Sequence, residues 1–214
     1  MSDARTQMVK QQVRTSSVVN NNVLNIMNTI PRDLFVPDTS KHLAYADKII
    51  NLEENQVMLS PRAHGLILQH IEPLKNDNVL LVGVGSGYLA CCLSGLVKKI
   101  MAIDKYSRLV GTAKKNAESL GITNIEFNTY NYFDFQTTKL FSKIIFTASI
   151  SNFMTSFMQF LEVNGKCFIS HGTSLLKTCS IVTKQSKDEF IIEDIFEDDI
   201  PLIEGDPFVA KKIL

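Results

Sequence analysis

A chain of 214 residues with 45% hydrophobic side chains can bury one substantial core and is short for two full domains. Its 22 lysines and arginines balance its 22 aspartates and glutamates, which argues against the broad cationic surface that binds nucleic acid by counterion release. No stretch approaches the roughly 20 apolar residues that cross a bilayer, and the polar start MSDARTQMVKQQVR carries no apolar run behind its charges, so the expectation is a cytoplasmic protein without a membrane partner.

In chain order, MVKQQVR is helix-prone, a second short helix is predicted around Val23 to Asn28, and the turn-rich PRDLFVPDTS follows. Residues 1–77 therefore read as an N-terminal helical cap carrying the loop region that precedes the main sheet. From Val79 onward, short apolar runs alternate with segments of helical period. The strand VLLV leads to a helix from about Ser86 to Leu96, then the strand KIMAID and a helix to about Leu120. The strands ITNIEF and KIIFTA follow, then a helix through Phe153 to Leu161 and the strand GKCFIS. Such alternation builds a mostly parallel α/β sheet with helices on both faces. TCSIVTK and EFIIEDIF have no helical pattern between them and read as a closing antiparallel hairpin. No repeat or Gly/Ser linker separates the two parts, so the chain is expected to form a single domain, with residues 78–214 as its ligand-binding core.

The four cysteines, Cys91, Cys92, Cys167 and Cys179, lack the spacing that wraps a metal ion and read as core thiols; no metal site is predicted. The acidic stretch EDIFEDDIPLIEGD reads as a solvated face.

The informative motif is Gly83-Val84-Gly85-Ser86-Gly87, which ends a strand and opens a helix. Glycine tolerates positive φ and has no Cβ, so bare backbone can approach a ligand there. The dinucleotide fingerprint places its third glycine where this chain has Tyr88, whereas here it comes one residue earlier, a spacing that favours S-adenosylmethionine methyltransferases. Asp104, at the end of the next strand, is placed to accept both ribose hydroxyls of an adenosine.

Several segments, in order, resemble the protein-L-isoaspartate O-methyltransferase family. MVKQQVR is similar to its opening helix, Pro31 to Pro37 to its PRxxFVP turn, and Ala44-Tyr45-Ala46-Asp47 to its AYxD segment. VLLVGVGSGYLA resembles its cofactor loop and FSKIIFTAS its fourth strand. The resemblance implies a Rossmann-like class I methyltransferase fold. It also implies methyl transfer from S-adenosylmethionine to the α-carboxylate of isoaspartyl residues in damaged proteins. By the same resemblance, Gly83, Gly85, Ser86, Gly87, Asp104, Lys105, Asn131 and Thr147 are the candidate cofactor residues, and Gln56 and Ser60 the candidate catalytic ones.

The chain departs from that pattern in two places. The family's substrate loop, GQTISQP, orients the acceptor carboxylate through hydroxyls, and here it reads Asn55-Gln56-Val57-Met58-Leu59-Ser60-Pro61, with both hydroxyl positions apolar. Ser60 restores a hydroxyl only if the loop bulges, because a one-residue offset in extended backbone reverses the side chain. The acid that usually precedes the glycine loop is Leu81, and the later aspartate is Asn131, whose amide oxygen can still accept from an adenine amino group. These changes predict weakened cofactor binding. They also leave open a member that methylates another acceptor or binds the cofactor without catalysis. His64 either meets the substrate or opens its helix partly exposed.

Overall fold

The computed structural model describes residues 2–152 and 155–206. A seven-stranded sheet forms the centre of the molecule. Its strands are β3 (Asn78–Val82), β4 (Lys99–Asp104), β5 (Ile125–Thr129), β6 (Phe141–Ile150), β7 (Leu161–His171), β8 (Lys177–Lys184) and β9 (Phe190–Asp198). They lie in the order β5-β4-β3-β6-β7-β8-β9. Pairing is parallel from β5 across to β7 and antiparallel for β7–β8 and β8–β9. The chain order therefore reverses between β3 and β6, and at such a switch point the strand ends diverge into a crevice.

The alternation within β3 assigns its side chains to two separate cores. Val79 and Leu81 enter the cluster shared with the N-terminal elements, whereas Leu80 and Val82 enter the cluster on the opposite face. Helix α4 (Tyr88–Ser94) buries Leu89, Ala90, Cys91, Cys92 and Leu93 against the first cluster, and α5 (Ser107–Ser119) adds Ala113 and Ala117. All four cysteines are free and buried. Helix α4 is shorter than its apolar pattern predicts. Gly87 has φ 88°, a left-handed conformation that keeps Ser86 and Gly87 in the loop, and Gly95 closes the helix.

Ahead of the sheet, α1 (Ser2–Met8) continues as a π-turn over Val9–Val13, and α2 (Asn21–Thr29) is capped by the Asn20 side chain, which accepts from the Asn22 and Val23 amides. A two-stranded hairpin, β1 (Ile50–Asn51) with β2 (Val57–Met58), precedes α3 (Pro61–Ile71). Met8, Val13, Val23, Met27, Ile67 and Ile71 share one core with the central sheet, so the cap is fastened to it by apolar packing.

Two segments, one before GKCFIS and one after the hairpin, differ from expectation. The predicted helix from Phe153 to Leu161 is a 3₁₀ turn over Thr155–Phe160, Leu161 already opens β7, and Phe153 lies outside the described residues. The acidic tail is not merely a solvated face. Beyond β9 it returns to the end of β6, where Ser149 N donates to Pro201 O at 2.8 Å and accepts back through Ser149 O from Ile203 N at 2.7 Å. Ser149 Oγ donates to Ile200 O at 2.8 Å, and Ser151 N to Asp206 Oδ2 at 2.6 Å. Among the described residues, no helix is long and apolar enough to cross a membrane.

Candidate active site

The ends of β3, β4 and β6 and the returning tail enclose an open cleft with about 850 Å³ of empty space. Gly83, Gly85, Asp104, Lys105, Asn131 and Thr147 line it, with Gln56 and Val57 of the β1–β2 hairpin at one side. The sheet thus gathers most of the predicted residues at its switch point.

Two glycines have separate physical reasons. Gly83 has φ 87°, and a Cβ there would lie 2.2 Å from Thr147 Oγ1. That hydroxyl is held in place, donating to Gly83 O at 2.8 Å, so β6 locks the first bend of the loop. Gly87 packs against α5, where a Cβ would lie 2.8 Å from Ala113 Cβ. Gly87 and Ser86 do not line the cleft. Ser86 is buried, faces a neighbouring hollow beside Phe35 and Leu109, and its carbonyl accepts from Asn116 Nδ2 at 3.0 Å. These two residues therefore shape the loop, a correction to their reading as ligand contacts.

Asp104 faces the cleft, but its carboxylate is already engaged. Oδ2 accepts from Val84 N at 2.9 Å and Gly85 N at 3.2 Å, and Oδ1 accepts from Tyr106 N at 3.1 Å. A carboxylate has about four acceptor positions, so the expected double grip on a ribose is reduced to the capacity these amides leave. Asn131 is also partly committed: Oδ1 accepts from Phe133 N at 3.3 Å and Nδ2 donates to Asp134 Oδ2 at 3.0 Å, capping the turn Tyr132–Asp134. The Lys105 ammonium donates to Glu204 Oε1 at 2.8 Å.

Leu81, read as a loss within the cofactor pocket, does not line the cleft; it is fully buried in the core on the opposite face of β3 from Val82, which does line it. Strand alternation decides this, since neighbouring side chains leave opposite faces.

The hairpin divides the acceptor-loop candidates. Its turn, Glu53–Asn55, carries positive φ at Glu54 (58°) and Asn55 (54°), and presents Asn55, Gln56 and Val57 to the cleft. Gln56 Nε2 donates to Glu54 O at 3.1 Å. Leu59 turns into the core, only 3% exposed. Ser60 lies away from the cleft and caps α3, its Oγ accepting from Ala63 N at 3.2 Å, which corrects its reading as a catalytic group. Ser60→Ala is accordingly expected to lower stability by about 1 kcal/mol in a denaturant titration while leaving turnover per folded molecule unchanged.

Behind the hairpin lies a buried cation that sequence reasoning passed over. Arg32 is fully buried; Nε donates to Ala44 O at 2.9 Å and Nη2 to Leu59 O at 2.7 Å. Nη1 lies 3.1 Å from His64 Nδ1. Arginine can only donate, so His64 Nδ1 must carry its lone pair and the proton sits on Nε2. Tyr88 lies beneath the guanidinium at 5.1 Å. Burial pulls the Arg32 pKa down to about 10. His64 is neither exposed nor in the cleft. Burial, then the Arg32 charge, hold its imidazole well below the usual value of 6.5.

His64 is therefore neutral in the native protein, while the unfolded chain takes up a proton below pH 6.5. Its contribution to stability is complete above that pH and is lost as pH falls, by about 1.4 kcal/mol per unit. Denaturant midpoints measured between about pH 7 and about pH 5 should show this slope, and His64→Gln should reduce it.

Residues 3–201 match the family model for protein-L-isoaspartate(D-aspartate) O-methyltransferase. The chain belongs to that family. A protein-L-isoaspartate O-methyltransferase of Roseobacter denitrificans is 30% identical over 208 residues, covering 96% of this chain and 98% of its own. A Shewanella sediminis protein-L-isoaspartate O-methyltransferase 2 is 30% identical over 187 residues, covering 86% and 77%. Among solved structures, a protein-L-isoaspartate O-methyltransferase superposes with TM-score 0.81 at 19% identity, over 96% of this chain and 67% of that one. A Plasmodium falciparum protein-L-isoaspartate O-methyltransferase, solved with S-adenosyl-L-homocysteine, gives TM-score 0.80 at 20% identity, over 92% of this chain and 97% of that one. The fold is that of the class I methyltransferases, as the glycine spacing and the order of strands predict.

Several cleft residues escaped the sequence reading: Tyr106, Tyr130, Pro201, Leu202, Ile203 and Glu204. The tail did carry one signal, the apolar run Ile200 to Ile203 inside an otherwise acidic stretch; Ile200 is fully buried.

Proposed function

We infer that this chain is an S-adenosylmethionine-dependent O-methyltransferase acting on isoaspartyl carboxylates in proteins. The observation that carries the reading is the meeting, in one cleft, of the loop residues Gly83 and Gly85, the carboxylate of Asp104 and the hairpin residues Gln56 and Val57. The lining suits an adenosine: partly accessible glycine residues, a carboxylate with acceptor capacity left, aromatic Tyr106 and Tyr130, and apolar Val82 and Ile103. Gly83, Gly85, Asp104, Asn131 and Thr147 are the residues assigned to hold it.

When bound, S-adenosylmethionine supplies a methyl group on a sulfonium centre. An isoaspartyl carboxylate is ionised at neutral pH, because a free α-carboxyl titrates at about 3.3–3.7, so the protein has no proton to remove. Its task is to position and desolvate the acceptor. Val57 and Leu202 supply apolar wall, and the Gln56 amide, held through Glu54 O, supplies a polar group at the hairpin side. The four buried thiols fit a cytoplasmic setting, where cysteines stay reduced.

The test is methyl transfer from labelled S-adenosylmethionine to two peptides of one sequence, one with an isoaspartyl and one with an ordinary aspartyl linkage. Base-labile label on the isoaspartyl peptide alone supports the reading. Equal labelling of both, or of neither by a chain that still binds the cofactor, contradicts it.

A further inference from the structure

The carboxylate of Glu204 joins two walls of the cleft. One wall is the β4–α5 connection, Asp104 to Tyr106; the other is the returning tail, Pro201 to Glu204. Lys105 Nζ donates to Glu204 Oε1 at 2.8 Å, and Tyr106 OH donates to Glu204 Oε2. Each carboxylate oxygen thus has its own donor from the other wall. The Lys105 ammonium also lies 5.1 Å from the Tyr106 ring centre, so the three side chains form one cluster. Lys105 and Tyr106 raise the acidity of the Glu204 carboxyl, and Glu204 holds both partners protonated to higher pH, as expected for a charge-assisted contact.

Upstream, the tail is fixed to β6 through Ser149 with Ile200, Pro201 and Ile203. These bonds, and the Ser151 N–Asp206 Oδ2 bond downstream, lie at the end of the interior strand β6 and do not reach the β4–α5 connection, whereas the Glu204 contacts do. The cluster borders Asp104, the group assigned to the ribose, so it stands at the nucleoside end of the cleft. It is also partly exposed, with the Lys105 and Glu204 side chains 34% and 56% accessible, so it can open without unpacking a core.

We propose that Glu204, held by Lys105 and Tyr106, is a latch that closes the tail over the nucleoside end of the cleft and sets the rate at which the cofactor product leaves. Glu204 is a positioning residue here: it acts through the wall it ties down and touches no reacting atom. The proposal rests on the cofactor assignment made above. Because the contact is an exposed ion pair, its effect is modest and salt-sensitive.

The full-length protein is loaded with radiolabelled S-adenosylhomocysteine and chased with excess unlabelled compound, and release is followed by rapid filtration at low and high salt. Glu204→Gln is expected to release label about fivefold faster at low salt. Wild-type release should accelerate with salt towards the variant's rate, while the variant's rate should hardly respond. Tyr106→Phe, which removes one of the two donors, should fall between them and serves if Glu204→Gln does not fold. Equal release by wild type and variants, or the same salt response in all, overturns the latch alone. A folded wild-type chain that takes up no S-adenosylhomocysteine overturns the cofactor assignment and the latch with it.

Discussion

Arg32→Ala is expected to lower the unfolding free energy by roughly 2–5 kcal/mol, because two buried carbonyls lose their donors and the side chain leaves a cavity. The truncation strips donors from Ala44 O and Leu59 O, removes the partner of His64 Nδ1, and leaves a hollow above Tyr88. A buried acceptor left without a donor costs about 1–3 kcal/mol, and two carbonyls lose theirs here. Against this stands the relief of no longer burying a charge, visible in the Arg32 pKa pulled down to about 10. The hydrogen bonds and lost packing together outweigh that relief.

Arg32→Lys should rescue little, because a single ammonium cannot serve Ala44, Leu59 and His64 with the planar fork of a guanidinium. The consequence reaches function through the hairpin. Leu59 follows Gln56 and Val57, so releasing its carbonyl loosens the acceptor side of the cleft and should raise KM for peptide more than it changes affinity for the cofactor. Urea titration measures the first effect and peptide-dependence of initial rates the second.

Gly83→Ala is expected to weaken cofactor binding by about a hundredfold or more, in line with removal of interactions worth about 3 kcal/mol. Its Cβ would sit 2.2 Å from Thr147 Oγ1 on backbone at φ 87°, so the bend must open or β6 must shift. The double variant Gly83→Ala/Thr147→Ala separates the two causes. With the hydroxyl gone the clash disappears, and measured against the Thr147→Ala single variant, which accounts for the loss of Thr147 from the cleft, the remaining defect is the left-handed backbone, about 1–3 kcal/mol for a residue with a side chain. A coupling energy between the two substitutions larger than half of the Gly83→Ala loss identifies the hydroxyl contact as the origin of the larger part, and a smaller one assigns it to the backbone.

The fold was legible because its central strands are short continuous apolar runs, buried on both faces, separated by longer helical segments, so VLLV, KIMAID and KIIFTA could be placed before any contact was known. The glycine loop was legible for a different reason: no other residue accommodates both the left-handed bend at Gly83 and the close contact with Thr147. What the chain order could not convey was direction and distance. Leu81 occupies the position of a family acid, yet strand alternation turns it into the core. Ser60 is the hydroxyl nearest the expected serine, yet the following helix needs a cap and takes it. Asp104 was placed correctly at the strand end, but its commitment to the Val84, Gly85 and Tyr106 amides depends on how the loop folds back. The tail was least legible of all. Its part in the cleft rests on bonds between Ser149 and residues about fifty positions later, a separation over which local pattern carries no information.

The cleft at Gly83, Gly85 and Asp104 as the seat of an S-adenosyl nucleoside is the claim on which the remaining functional assignments depend. Calorimetric titration of the full chain with S-adenosylhomocysteine tests it most directly. The structure predicts saturable binding at one site per chain, and loss of that heat in Gly83→Ala while the variant remains folded. A folded wild-type chain that produces no binding heat, or a Gly83→Ala variant that binds as the wild type does, would contradict it.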